Sequence, residues 1–160
     1  MFQPNTPAAA VPTVLYVDDE EGNRTAFQAA FRREFHVVTA AGLEEALRIL
    51  EQLEVHVAIC DQRMPGVPGH EVLRCIKEMY PAVRRMLITA YADLQALVDA
   101  LNQAGVCHYI RKPWDAAEVR TAVLRAFAER QAEADRNARM EFLLESNRQL
   151  EFALRQRLLS

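Results

Sequence analysis

Short apolar runs alternate along the chain with longer stretches in which apolar residues return every third or fourth position. Thr13-Val14-Leu15-Tyr16-Val17 is the first run, and it stops abruptly at Asp18-Asp19-Glu20-Glu21. From Asn23 to Phe35, Ala26, Phe27, Ala30 and Phe31 share one face while Arg24, Gln28, Arg32 and Arg33 occupy others, which predicts an amphipathic helix. His36-Val37-Val38-Thr39 predicts a second strand, and after Gly42 the stripe Leu43, Ala46, Leu47, Leu50, Leu53 predicts a second helix. The run Val55 to Cys60 predicts a buried strand ending in the carboxylate of Asp61, because Pro65 and Gly66 forbid regular continuation. Val72, Leu73, Ile76 and Met79 predict a third helix, stopped at Tyr80-Pro81 because proline disfavours helical geometry in the residue before it. Arg85-Met86-Leu87-Ile88 predicts a fourth strand with Thr89 at its end. Leu94, Leu97, Val98 and Leu101 predict a helix from Asp93 to Asn102. Cys107-His108-Tyr109-Ile110 predicts a fifth strand, ended by Arg111-Lys112-Pro113.

Strict alternation of five strands with helices predicts an α/β fold, a parallel sheet covered on both faces. Asp18, Asp19, Asp61, Thr89 and Lys112 then converge on the carboxyl edge of one sheet, where such folds hold ligands. Each residue would be unremarkable alone; Asp18 and Asp19, for instance, could simply favour the positive end of a helix dipole.

The last helix outruns the domain it closes. Neither proline nor glycine occurs between Asp115 and Leu159, and Val119, Val123, Ala126 and Phe127 suit a sheet-facing stripe only as far as Ala128. Beyond a polar stretch from Glu129 to Arg139, Met140, Leu143, Asn147, Leu150 and Leu154 fall on the a and d positions of a heptad, with Asn147 at a. One polar a residue fixes register and favours a two-stranded parallel coil. The expected organisation is a disordered leader over 1–12, a domain over 13–128, and a helical linker over 129–160. That linker would be a dimeric coiled coil leading to an output domain outside this segment. A solvated helix folded back on its own domain is the alternative, since two heptads are few.

Composition narrows the partners. Among 160 residues the net charge is −3 with signs interspersed, so no basic face invites nucleic acid. No apolar run nears the roughly twenty residues needed to cross a bilayer, and the first residues lack the pattern of a signal peptide, so a cytoplasmic chain with no membrane association is expected. Cys60, Cys75 and Cys107 have no paired spacing and read as reduced thiols packed in a core; the four histidines sit at no zinc-ligand interval.

Three carboxylates at one edge repel one another, and a hard divalent cation, Mg²⁺, is the natural offset. With that cation present, Asp61 is the candidate nucleophile for phosphorus, forming an aspartyl phosphate. Phosphoryl transfer requires mainly positioning and charge neutralisation, which Lys112 and Thr89 are placed to supply.

The stretches Leu15-Tyr16-Val17-Asp18-Asp19-Glu20, Cys60-Asp61-Gln62-Arg63-Met64-Pro65, Gly69, Thr89-Ala90, Tyr109 and Lys112-Pro113 resemble, in order and spacing, a two-component response-regulator receiver domain over Val14 to about Phe127. Cys60 to Gly66, Ile88 to Asp93 and Ile110 to Trp114 resemble the subgroup found in hydrogenase-expression regulators and cyclic-di-GMP phosphodiesterase-linked regulators. The resemblance implies a flavodoxin-like five-stranded sheet of order 2-1-3-4-5. It implies that Asp61 accepts phosphate from a sensor histidine kinase. Asp19, Asp61 and the backbone carbonyl of Arg63 would ligate Mg²⁺ directly, and Asp18 through water. It further implies that Thr89 bonds the phosphoryl group, Tyr109 follows Thr89 inward, Lys112 pairs with phosphoryl oxygens, and the Lys112-Pro113 bond is cis. Such a chain is a signalling module rather than an enzyme. A phosphate-insensitive dimerisation module is the competing reading, although the acids and the lysine are all present. An aspartate-nucleophile phosphatase fits less well, because Arg63 stands where a second acid would serve the leaving group.

Overall fold

A computed structural model describes residues 10–90, 98, 102 and 104–160. The helix expected over Asp93 to Asn102 lies outside the described residues save for Val98 and Asn102, as do residues 1–9 of the expected leader. The last leader residue, Pro12, is buried, and its carbonyl accepts a hydrogen bond from the His36 N–H at 3.0 Å, so the ordered body begins before Thr13.

The strands are β1 (Thr13–Val17), β2 (His36–Ala40), β3 (Val57–Asp61), β4 (Arg84–Thr89) and β5 (His108–Arg111). The described helices are α1 (Glu21–Phe31), α2 (Leu43–Gln52), α3 (Gly69–Met79) and α4 (Ala116–Leu158). All strand pairs are parallel, in the order β2-β1-β3-β4-β5. Helix α1 starts two residues earlier than its apolar stripe suggested and ends four residues sooner. Phe35, excluded from the helix, is nonetheless buried, since its N–H continues the last turn to the Phe31 carbonyl.

The apolar core is split by the sheet. Leu15, Val17, Ala58, Cys60 and Leu87 point to one side and pack with Ala46 and Leu50 of α2 and Val72, Leu73 and Ile76 of α3. Val14, Tyr16, Val57, Ile59, Met86 and Ile88 point to the other, against Phe27 and Phe31 of α1 and Val119, Val123 and Ala126 of α4. This period of two explains why β3 reads as an unbroken apolar run: a central parallel strand is buried on both faces. Each fully buried Leu, Ile, Val or Phe contributes about 1.5–3 kcal/mol, so the sheet is held mainly by this double layer.

Phe127, expected to face the sheet, is only partly buried and meets His56 edge-on at 4.9 Å between ring centres. Of the thiols, Cys60 is buried, Cys75 partly so, and Cys107 exposed, which corrects the expectation of three core cysteines. Residue 107 directly precedes β5, the edge strand of the sheet. The chain divides into two compact units between Phe127 and Ala128. In the second unit Met140, Leu143, Leu150 and Leu154 are 57–62% exposed, and Asn147 is exposed with them. Phe142 and Phe152 are exposed as well, off the a/d seam.

Candidate functional site

Three strands stop at the same edge, and each delivers an acid or a hydroxyl there. Asp18 and Asp19 follow the end of β1, Asp61 is the last residue of β3, and Thr89 the last of β4. Carboxylate oxygens of Asp18, Asp19 and Asp61 lie within 4.8 Å of one another, with Asp18 and Asp61 buried and Asp19 exposed. The donors are hard oxygens only, which suits Mg²⁺ and not a soft metal.

Asp61 is held by opposed forces. Its Oδ2 accepts a hydrogen bond from Lys112 Nζ at 2.9 Å, and its Oδ1 a long one from the Arg63 N–H at 3.4 Å. Burial pushes the Asp61 carboxyl above its ordinary range; the Lys112 ammonium pulls it back, and the Asp18 charge adds to the rise. Lys112 is tied to the neighbouring strand end by its own N–H, which donates to the Thr89 carbonyl at 2.9 Å. The Lys112-Pro113 peptide is cis. Thr89 is buried, and its hydroxyl donates to the Ala90 carbonyl at 3.1 Å. Tyr109 on β5 is 39% exposed, so its ring lies at the surface.

The loop after Asp61 is braced by backbone contacts. Gly66 has φ +83°, a left-handed geometry that favours glycine and turns the chain back towards α3. A Cβ at Gly69 would stand 2.2 Å from the Asp61 carbonyl oxygen, so α3 can start this close to the strand only with glycine there. The Gln62 N–H donates to the Ile88 carbonyl, and the Gln62 side chain brackets His70, accepting from its N–H at 3.0 Å and meeting Nδ1 at 2.7 Å.

Apolar periodicity did not reveal the support around Asp18. Tyr16 donates its hydroxyl to Asp18 Oδ2 at 2.8 Å, Asn23 Nδ2 donates to the same oxygen at 3.0 Å, and the Glu20 N–H donates to Oδ1 at 3.0 Å. Arg24 Nη1 donates to the Asp18 carbonyl at 2.7 Å. The signal in the sequence was slight: a tyrosine beside Val14, Leu15 and Val17, and an asparagine and an arginine in the first turns of the helix that follows. Burial and Asp18 together push the Tyr16 phenol far above its ordinary range, so it stays a donor, and burial likewise keeps Cys60 a thiol. Trp114, directly after the cis bond, packs with its ring centre 5.9 Å from Phe27 and 5.5 Å from Phe31.

A parallel sheet of this order, with acids, a hydroxyl and a lysine gathered at its carboxyl edge, is the frame of a phosphorylation-linked signalling receiver. The model of the response regulator receiver domain matches residues 14–124, and the chain belongs to that family. Over 102 residues it is 40% identical to the hydrogenase transcriptional regulatory protein HoxA of Cupriavidus necator, covering 64% of this chain and 21% of that protein. It is 30% identical over 111 residues to sporulation initiation phosphotransferase F of Bacillus subtilis, covering 69% of this chain and 89% of that one. Among solved structures, the signal receiver domain of an HD domain-containing protein from Pseudomonas fluorescens superposes with a TM-score of 0.72 at 27% identity, covering 77% of this chain and 99% of that one. The chain thus spans about a fifth of the hydrogenase regulator's length. Receiver domains serve two-component systems as targets of sensor histidine kinases. Among the described residues, no helix is long and apolar enough to cross a membrane.

Proposed function

We propose that this chain is a phosphoacceptor: Asp61 takes a phosphoryl group from a phosphohistidine of a sensor kinase, and the change leaves through α4. The observation that carries the reading is the placement of Asp61, buried, 2.9 Å from Lys112 Nζ and within 4.8 Å of two further acids. An Asp61 carboxylate oxygen attacks phosphorus as the P–N bond breaks; the imidazole leaves with the electron pair and takes a proton from solvent. Lys112 then shifts from the Asp61 oxygen it now bonds to the oxygens of the transferred group. Thr89 exchanges the Ala90 carbonyl for a phosphoryl oxygen, vacating space into which Tyr109 turns from the surface. Asp19, Asp61 and the Arg63 backbone carbonyl would hold Mg²⁺, with Asp18 reaching it through water. Bound there, Mg²⁺ would neutralise charge on the phosphoryl oxygens.

The organisation proposed with this function is a receiver over 13–128 and a signalling helix over 129–160. The exposed seam of Met140, Leu143, Asn147, Leu150 and Leu154 favours a parallel homodimer that passes the change to an output domain. Incubation with acetyl phosphate and Mg²⁺ should yield a protein heavier by one phosphoryl group, and Asp61→Asn should gain none. Absence of the adduct in the unsubstituted protein, or its persistence in the variant, refutes the assignment.

A further inference from the structure

We propose that Tyr16 is a positioning residue for the acid site, fixing the Asp18 carboxylate so that only one of its lone pairs is left for the water through which it reaches the cation; this inference rests on the phosphoacceptor reading. Tyr16 sits in β1 and is 1% exposed. Its ring stacks on Phe27 with centroids 4.1 Å apart and planes within 1°, so the phenol cannot swing away from Asp18. A carboxylate offers about four acceptor sites. The Tyr16 hydroxyl and Asn23 Nδ2 occupy both sites of Oδ2, and the Glu20 N–H occupies one of Oδ1. Among the described residues, one site on Oδ1 is left.

This arrangement does two things for a carboxylate that is 0% exposed. Three donors replace the water that burial removed. They also lock the carboxylate plane, so no ordering has to occur when the cation and its water arrive. Outer-shell groups that order a metal site commonly contribute 10–100-fold to metal affinity. The hydroxyl is the part of Tyr16 that does this, whereas the ring serves the core.

Tyr16→Phe separates the two, because it keeps the stack on Phe27 and leaves Asp18 two of its donors. Calorimetric titration with MgCl₂, in the absence of any phosphodonor, should show a dissociation constant raised about tenfold, while the acetyl-phosphate reaction at saturating Mg²⁺ stays within about twofold of the original rate. Asn23→Ala, at the partly exposed start of α1, should weaken Mg²⁺ in the same direction. A residue serving only the core would lower the unfolding midpoint and leave the dissociation constant unchanged; equal constants in the unsubstituted protein and Tyr16→Phe therefore overturn the inference while the phosphoacceptor reading stands. If the unsubstituted protein itself takes up no Mg²⁺, both fall together.

Discussion

Replacing Asp61 by asparagine should make the protein more stable when no divalent cation is present. Asp61 is 4% exposed and shares its corner with two other carboxylates within 4.8 Å. At that distance and an effective dielectric of about 20, each like-charge pair costs about 3 kcal/mol, while Lys112 at 2.9 Å returns about 6 kcal/mol. Two repulsions against one attraction nearly cancel, and solvent reduces both because Asp19 and part of Lys112 are exposed. The desolvation of the buried charge therefore decides the sign, in agreement with burial as the main cause of the raised Asp61 pKa. Asparagine keeps the shape and removes the charge. Its loss leaves the Lys112 ammonium, 33% exposed, with access to water, so no buried cation is stranded. The expected gain is about 1–2 kcal/mol at pH 7 in EDTA, or an unfolding midpoint higher by about 3–6 °C for a domain of this size. Because the folded pKa of Asp61 lies above its unfolded value near 3.8, this group's stabilising contribution is present in acid and lost as pH rises through the folded pKa. The advantage of asparagine should accordingly shrink as pH falls towards 4. With Mg²⁺ at a hundred times its dissociation constant, the unsubstituted protein should gain about 2.7 kcal/mol and Asp61→Asn much less, reversing the order. Thermal unfolding followed by circular dichroism, with and without Mg²⁺, tests all three statements. A less stable Asp61→Asn in EDTA, or equal Mg²⁺ shifts in both proteins, would show that the corner is not strained by its charges.

Gly69→Ala should lower stability by about 1–3 kcal/mol and slow phosphorylation by acetyl phosphate, because its Cβ would press on the Asp61 carbonyl from 2.2 Å; urea unfolding and the rate together check this. Lys112→Ala should reduce the rate of acetyl-phosphate transfer by about 10²-fold, as for loss of one preorganised charge donor, while Asp61 binds its proton more tightly; rates measured across pH would show a higher apparent pKa. In the tail, Leu143→Asp with Leu150→Asp should abolish self-association in analytical ultracentrifugation, whereas Phe142→Ser, off the seam, should leave it intact. Cys107 should react with a thiol reagent in the native protein and Cys60 only after unfolding, since burial holds the latter a thiol.

The parallel sheet could be read from the chain because both of its faces are covered, so each strand is a compact apolar run and each break in polarity marks a real edge. Asp61 announced itself by ending the most buried strand. Element ends were less readable: the first residue of β4, Arg84, the last of β5, Arg111, and the start of α1 at Glu21 are polar and carry no periodic signal. The brace around the acids was missed for a related reason. Tyr16 counts as apolar in any pattern, and only the fold shows that its hydroxyl faces Asp18 rather than solvent. Gly69 could be quoted from the family resemblance, but the close approach that requires it appears only when α3 is set against the end of β3.

The buried charge at this corner gives the proposed switch its leverage. A ligand shifts an equilibrium only by as much as it prefers one state, and a cation or phosphoryl group gains most where unneutralised charges already meet. Lys112 would be the pivot of that switch, because its ammonium holds Asp61 while its N–H holds the end of β4. Only Pro113, Trp114 and Asp115 separate it from α4, and Trp114 is wedged against Phe27 and Phe31 of α1. A change in what Lys112 binds would therefore act on a short, packed connection rather than a slack one. Phe27 also stacks on Tyr16, which holds Asp18. The acid site and the start of α4 thus share one aromatic cluster, the route by which the proposed change would leave.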